Sequence, residues 1–486
     1  MNAERRARRA KQNISAMVFM KTGISGNGNF IGIVLLIGLA SSLVGCASIQ
    51  RSTYERPALS ILPKWRSPTS DLSGVYPSSW WTTFHDSTLD RLIEKAIATN
   101  WDLATAVLNL RQAGLQVVIA GEQGYPLISS GVGLSASHGF KAPKVTTKLA
   151  TTSLSASWQL DLWGNIADQV DAAEWEARAS EQDRSAVAMS VASQVADYYW
   201  QLALLADQID RNQEAIKYEE KTVQLVQTRH DIGVATAIDL ATARQALNNA
   251  EQYRLSLVDQ RTRVENSLSI MIGDSVGTRY SVSARALHDL PPAIPAGVPA
   301  DILSRRPDVK AAELRLREAM RQIDIARTSF YPTFGLTAAG GTSSITLRNL
   351  LENPIGSIAE SIAFPFLNAW KMNAQINSAK IMYDQHVVAF KKVFYQALVD
   401  VENALSSVDD YKQQVAKLQQ AVAYAYEEER AYAIQYKIGT GPLQALLDAN
   451  EAVRNAELSL SLANYDVLVS EVALFAALGS GFDMPQ

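Results

Sequence analysis

The chain has 486 residues, 45 Lys and Arg against 49 Asp and Glu, one cysteine and 47% apolar residues. A single cysteine excludes an internal disulfide and a cysteine-based metal site, and the near balance of charge argues against a nucleic-acid surface. The length allows two to three domains or one large repeated architecture, and the abundance of Ala, Leu, Gln and Ser is that of long helices, which points towards scaffolding or transport.

Residues 1–45 read as a leader. Met1 to Lys21 carry six basic side chains and one acidic one, and Phe30 to Ala40 form an apolar run, the charged and apolar regions of a signal peptide. A bilayer span needs about 20 apolar residues, so this run is too short for a stable anchor. The basic stretch is long enough to make Met17 or Met20 alternative starts. Leu43-Val44-Gly45-Cys46 follows. It resembles the lipobox of bacterial lipoproteins, which implies a lipidated Cys46 at a new N-terminus, and Ala47 in place of Asp implies outer-membrane sorting. Losing six basic and one acidic residue with the leader moves the formal net charge from −4 to −9.

The remainder repeats itself at a shift of 206. Leu108, Leu110, Arg111 and Ala113 fall on Leu314, Leu316, Arg317 and Ala319; Tyr125-Pro126 falls on Tyr331-Pro332, Ile232-Gly233 on Ile438-Gly439, and Gly273 on Gly479. A register held over about 170 residues means two similar structural units, not a short solenoid. The chain thus divides into a leader (1–45), an N-terminal lipid-anchored linker (46–79), a first repeat (80–275), a second repeat (276–481) and a tail (482–486).

No Gly or Pro occurs from Asn165 to Ile232 or from Phe366 to Ile438, which predicts one continuous helix of roughly 100 Å in each repeat. Helices of that length need long neighbours to bury their apolar stripes, as in a coiled coil. Gly233 and Gly439-Thr440-Gly441-Pro442 mark the tips of helical hairpins, with second helices running on to Gly273 and Gly479. The segments after the Tyr-Pro pairs change period. Val132, Leu134 and Ala136 alternate with Gly131, Gly133 and Ser135, and Leu154, Ala156, Trp158 and Leu160 with Ser153, Ser155, Ser157 and Gln159. This predicts strands at about 127–140 and 148–161, with counterparts at about 333–345 and 357–366, where Glu360 interrupts the apolar face.

An apolar face opposite a Ser/Gly face, with no second sheet to cover it, fits a transmembrane barrel. An ordinary half-buried sheet shows the same alternation. Four strands cannot close alone, and an open edge in hydrocarbon leaves backbone groups unsatisfied, so closure demands several chains. Two chains give an eight-stranded barrel filled by side chains; three give twelve strands and a lumen, so a homotrimer is the simplest solution. The fold class expected is mainly α with a transmembrane β portion.

Trp80-Trp81-Thr82-Thr83-Phe84-His85-Asp86, Trp158-Gln159-Leu160-Asp161-Leu162-Trp163-Gly164, the two Tyr-Pro turns, Arg305-Arg306-Pro307-Asp308 and the paired Ile-Gly tips together resemble the outer-membrane factor family, the TolC/OprM-like efflux channels, in its lipoprotein (NodT-type) branch. The resemblance covers nearly all of residues 75 to 480. It implies a trimer with a twelve-stranded barrel and a long periplasmic helical tunnel, joined to a periplasmic adaptor and an inner-membrane pump of the RND type. Its function is passive conduction from that pump to the cell exterior, with a gate at the helix tips.

Within that resemblance Asp448 lines the periplasmic constriction, and three copies on one axis make a cation-favouring carboxylate ring. Tyr436 matches a tyrosine that bonds an acidic residue on the other hairpin, here Asp239, so the pair holds the mouth closed. The family's Arg after Gly-Thr is Gly441 here, and Ala445 stands where some members carry a second Asp. Gly233, Gly439 and Gly441 form the tips that meet the adaptor. Trp80 and Trp81 read as packing anchors. The five histidines show no metal-ligand spacing. No phosphate loop or nucleophile elbow is present, so no enzyme activity, cofactor, metal or nucleic-acid partner is expected. A non-conducting coiled-coil envelope lipoprotein is the alternative, although it has no use for the strands.

Overall fold

In the computed structural model of the chain, the described residues are 51–61, 63–67, 79–287, 299, 305–352 and 354–479. The leader, Cys46, half of the linker and the tail lie outside them. The chain falls into two units. One is residues 52–160 with 165–486, which holds every element below; the other is residues 1–51 with 161–164, whose described part is Arg51 and the turn Asp161–Gly164, with Gly164 at φ +76°.

A 3-10 turn at Trp80–Phe84 leads into α1 (Ser87–Thr99), α2 (Trp101–Glu122), β1 (Leu127–His138), β2 (Thr146–Leu160), α3 (Asn165–Asp231) and α4 (Ala237–Met271). The second repeat then gives α5 (Pro307–Thr328), β3 (Thr333–Ser344), β4 (Pro354–Ala363), α6 (Ala369–Ile438) and α7 (Leu443–Ala477). Both bounds of α2, β1 and α4 recur 206 residues later in α5, β3 and α7. Chemistry at equivalent positions differs while the contact stays. Asn100, the N-cap of α2, donates from Nδ2 to the Met271 carbonyl (2.9 Å), and Arg306, the N-cap of α5, donates from Nη1 to the Ala477 carbonyl (3.2 Å). Each repeat thus ties the start of the helix that precedes its strands to the end of its last helix. Gly479 sits where a Cβ would come within 2.8 Å of the Arg306 backbone, at φ +67°, so this tie also requires glycine.

The tryptophans anchor the main core. Trp80 is fully buried and stacks on Phe475 at 5.5 Å, while Phe84 packs on Trp200 at 4.7 Å. Leu89 and Ile93 of α1 close the same cluster. Asp86 accepts the Thr88 and Leu89 amides, capping α1, and also accepts the Tyr199 hydroxyl of α3. A second core joins Val309 and Leu316 of α5 to Phe390 and Phe394 of α6.

The sheet runs β1-β2-β3-β4, antiparallel throughout. Its registers align odd residues with odd, so Ser129, Ser155 and Ala339 share one face, while Ile128, Ala156, Ala338 and Ile358 share the other. Val132 and Ile358 are 78% and 80% exposed, so the described residues leave most of the apolar face uncovered, with Ala150 and Thr342 as its buried positions. β4 begins and ends three residues earlier than the alternation predicts. Pro354 is tolerated as a first strand residue, and Pro365, which has no donor, opens a 3-10 turn instead of extending the ladder. Glu360 lies on the apolar face opposite Leu336.

Residues 52–61 and 63–67 strap the second repeat. Ser52 donates from its amide and Oγ to Asp324 (2.9 and 2.7 Å), Arg56 pairs with Glu313 (2.9 Å), and Ser67 donates to Glu402 (2.7 Å). The strap therefore starts beside the end of α5 that leads into β3.

Candidate functional site at the hairpin tips

The α3–α4 and α6–α7 tips have the same backbone. At the first, Gly233 takes φ +78° and donates to the His230 carbonyl (2.9 Å), while Val234 and Ala235 both donate to the Arg229 carbonyl (2.8 and 3.1 Å). At the second, Gly439 takes φ +85° and donates to Tyr436 (3.1 Å), while Thr440 and Gly441 donate to Gln435 (2.9 and 3.2 Å). The left-handed glycine satisfies carbonyls that the helix end leaves free. Gly441 has another reason to be glycine. A Cβ there would lie 3.0 Å from the Gln435 Cβ, so the turn has tightened around the missing side chain.

Side chains separate the tips. Thr236 caps α4 in a reciprocal box: its Oγ1 accepts the Asp239 amide (3.1 Å), and its own amide donates to Asp239 Oδ2 (2.8 Å). Those donors, the Thr236 amide first and its hydroxyl second, hold the Asp239 carboxyl below the usual carboxylate range. The equivalent N-cap of α7 is Pro442, which makes no side-chain cap.

Tyr436 is buried at the tip with Val226, Leu240, Ala243, Leu443 and Leu446. Its ring lies 4.5 Å beneath the Arg229 guanidinium, whose Nη2 donates to the Lys437 carbonyl (2.9 Å). A cation at the C-terminal end of α6 also meets the negative end of the helix dipole. The structure thus brings Tyr436 and Leu240, the neighbour of Asp239, into one cluster, while the hydrogen bonds of Asp239 go to Thr236. Among the described residues no hydrogen bond joins Tyr436 to Asp239. Asp448 is exposed on α7, opposite the buried Leu446, Leu447, Ala449 and Asn450, and accepts from Gln444 (2.7 Å).

Above the tips a polar ladder links α3 to α6 and α7. Tyr218 donates to Glu429 (3.1 Å), Arg454 pairs with Glu219 (3.0 Å), Arg211 with Glu457 (2.6 Å), and Ser461 donates to Asp207 (2.5 Å). The Glu219 side chain is 1% exposed, and burial pushes its carboxyl above the usual range against the opposing effect of Arg454.

Arg229 and this ladder escape a reading of the sequence, because a charged residue on a long polar helix looks like any solvated position. A signal for the tips was available in Ile232, Val234, Ile238 and Ile438, apolar residues clustered about turn glycines. They are all more than half exposed. They make an apolar rim where a solvated turn would be polar.

The chain matches the outer membrane efflux protein family over residues 92–274 and 298–480. It is 30% identical over 467 residues to the pyoverdine export outer membrane protein OpmQ of Pseudomonas putida, covering 92% of this chain and 97% of that one. It is 28% identical to toxin and drug export protein A of Aggregatibacter actinomycetemcomitans, covering 93% and 98%. Its fold is similar to the open state of the Neisseria gonorrhoeae MtrE outer membrane channel, with a TM-score of 0.79, 25% identity and coverage of 89% and 98%. With two matched repeats, each made of a strand pair and a long helical hairpin, the chain belongs to the outer membrane efflux protein family, channels of the outer membrane that act with a periplasmic adaptor and an inner-membrane pump.

Proposed function

We propose that three copies of this chain close their four-stranded sheets into one twelve-stranded barrel and conduct the cargo of an RND-type pump through a gate at the hairpin tips. The observation that carries this reading is the two-faced sheet: among the described residues, one face is small and polar, the other is apolar and mostly exposed, and both edges are open. That is what a barrel with lipid outside and water inside requires. The helices fit the same assembly. Trp101, Leu108 and Leu115 stand seven residues apart on α2 and are each at least 60% exposed, an apolar seam suited to a neighbouring copy.

Asp448 supplies the carboxylate ring of the aperture, and Asp239, Tyr436 and Arg229 hold the tips closed. Gly233, Gly439 and Gly441 shape the turns that meet the adaptor, and the apolar rim around them offers the contact. Acylation of Cys46 fastens the N-terminus to the membrane. It is consistent with a strap that begins at Asp324, near the root of β3.

The test is conductance of purified protein in a planar bilayer. Asp448→Asn is expected to weaken cation selectivity, read as a reversal potential moved towards zero in a salt gradient. An unchanged reversal potential would remove Asp448 from the aperture. Stable protein that never conducts would return the coiled-coil lipoprotein reading.

A further inference from the structure

The sheet ends in two open edges, β1 and β4. Its registers obey the internal repeat. Adding 206 to both members of a β1–β2 pair yields a β3–β4 pair: Leu127 with Ser157 becomes Thr333 with Ala363, and Ser135 with Leu149 becomes Gly341 with Ile355. A closed ring of repeats has only two kinds of strand junction. One lies within a repeat; the other joins one repeat to the next. The chain contains the second kind once, where β2 meets β3, and in a ring of several copies the same kind recurs where β4 meets the β1 of a neighbour.

We infer that the seam between subunits takes the β2–β3 register moved by one repeat. Thr151 with Ser343 then becomes Ser357 with Ser137 of the partner subunit, and Leu154 with Gly340 becomes Glu360 with Leu134 of the partner subunit. This rests on the ring of three copies proposed above, and names how its surfaces meet. Side chains agree with it. Every pair matches odd with odd or even with even, so Ser357 and Ser361 stay on the small polar face while Ile358 and Ile362 stay on the apolar one. A slip of one residue would turn the serines to lipid. A slip of two preserves the faces but makes the seam unlike the junction within the chain. The register also places no cation opposite Glu360, so backbone hydrogen bonds and apolar contact hold the seam without an ion pair.

Directly opposed residues of an antiparallel pair bring their Cα atoms within disulfide reach. In the full chain, oxidation of the Ser137→Cys/Ser357→Cys double variant is expected to give reducible covalent trimers, several-fold more than Ser137→Cys/Ala359→Cys or Ser137→Cys/Ile355→Cys, which test slips of two in either direction. Thr151→Cys/Ser343→Cys should lock within one chain as the matched control, and single variants account for Cys46. Glu360→Gln should leave the trimer yield unchanged, and a loss would mean that the seam depends on an ionic partner and would overturn this register. Trimers that lock through Ala359 or Ile355 would overturn the register alone. Monomers that lock through none of the pairs, while the matched control locks, would overturn the ring.

Discussion

The two hairpin tips share a backbone turn and differ in how they are fastened. Gly233 and Gly439 are both left-handed, and in both tips the carbonyls three and four residues before the glycine accept the turn amides. The first tip then closes on itself through the Thr236–Asp239 box, whereas the second has Pro442 and Ala445 at those positions and no cap. What secures the second tip comes from the first: Arg229 stacks on Tyr436 and donates to Lys437. A duplicated turn has become one self-held element and one held by its neighbour. Motion at the mouth is therefore expected to begin in the α6–α7 tip.

Loss of the ladder above the tips gives the largest expected effect. Arg454→Leu leaves Glu219 as a buried carboxylate without its partner. Stranding one member of a buried pair costs about 3 kcal/mol, read as a lower melting temperature of the solubilised protein. The sign with pH follows from the raised carboxyl. The folded state binds the Glu219 proton more tightly than the unfolded one, so the deficit is greatest above the raised titration range and shrinks as the pH falls through it. A deficit that grew on acidification would show that Glu219 is not the group left stranded.

Swapping the caps comes next. Thr236→Ala removes the box and costs about 1 kcal/mol. The transplant Pro442→Thr/Ala445→Asp gives the second tip the residues of the first and should return a similar amount. If the fastening difference controls opening, the first change raises resting conductance modestly and the transplant lowers it. A transplant that left the conductance untouched would place the mobile element elsewhere.

Much of this arrangement was legible in the residues. The shift of 206 predicts both element order and the hairpin tips because glycine is favoured where φ turns positive, and the serine alternation predicts the strands because the two faces meet different solvents. Contacts between segments far apart in sequence were not legible. Arg229 to Lys437, Arg454 to Glu219 and Ser52 to Asp324 each join side chains that look solvated along their own element, and no periodicity encodes which distant carbonyl or carboxylate they reach. The end of β4 was missed for a local reason, since alternation continues through Phe366 while Pro365 cannot donate to the ladder.

The smallest expected effect is the most discriminating. Resemblance assigns Tyr436 a hydroxyl bond to Asp239, whereas here its ring face carries the Arg229 guanidinium. Tyr436→Phe keeps that face and removes only the hydroxyl, so resting conductance should stay at the wild-type level. Arg229→Ala loses the stacked cation and its carbonyl contact, about 1 kcal/mol, and should raise the conductance. Combined with Tyr436→Phe it should behave as Arg229→Ala alone, because the hydroxyl contributes nothing to the contact that was lost. A conductance rise in Tyr436→Phe as large as in Arg229→Ala would give the latch back to the hydroxyl, and with it the bond to Asp239.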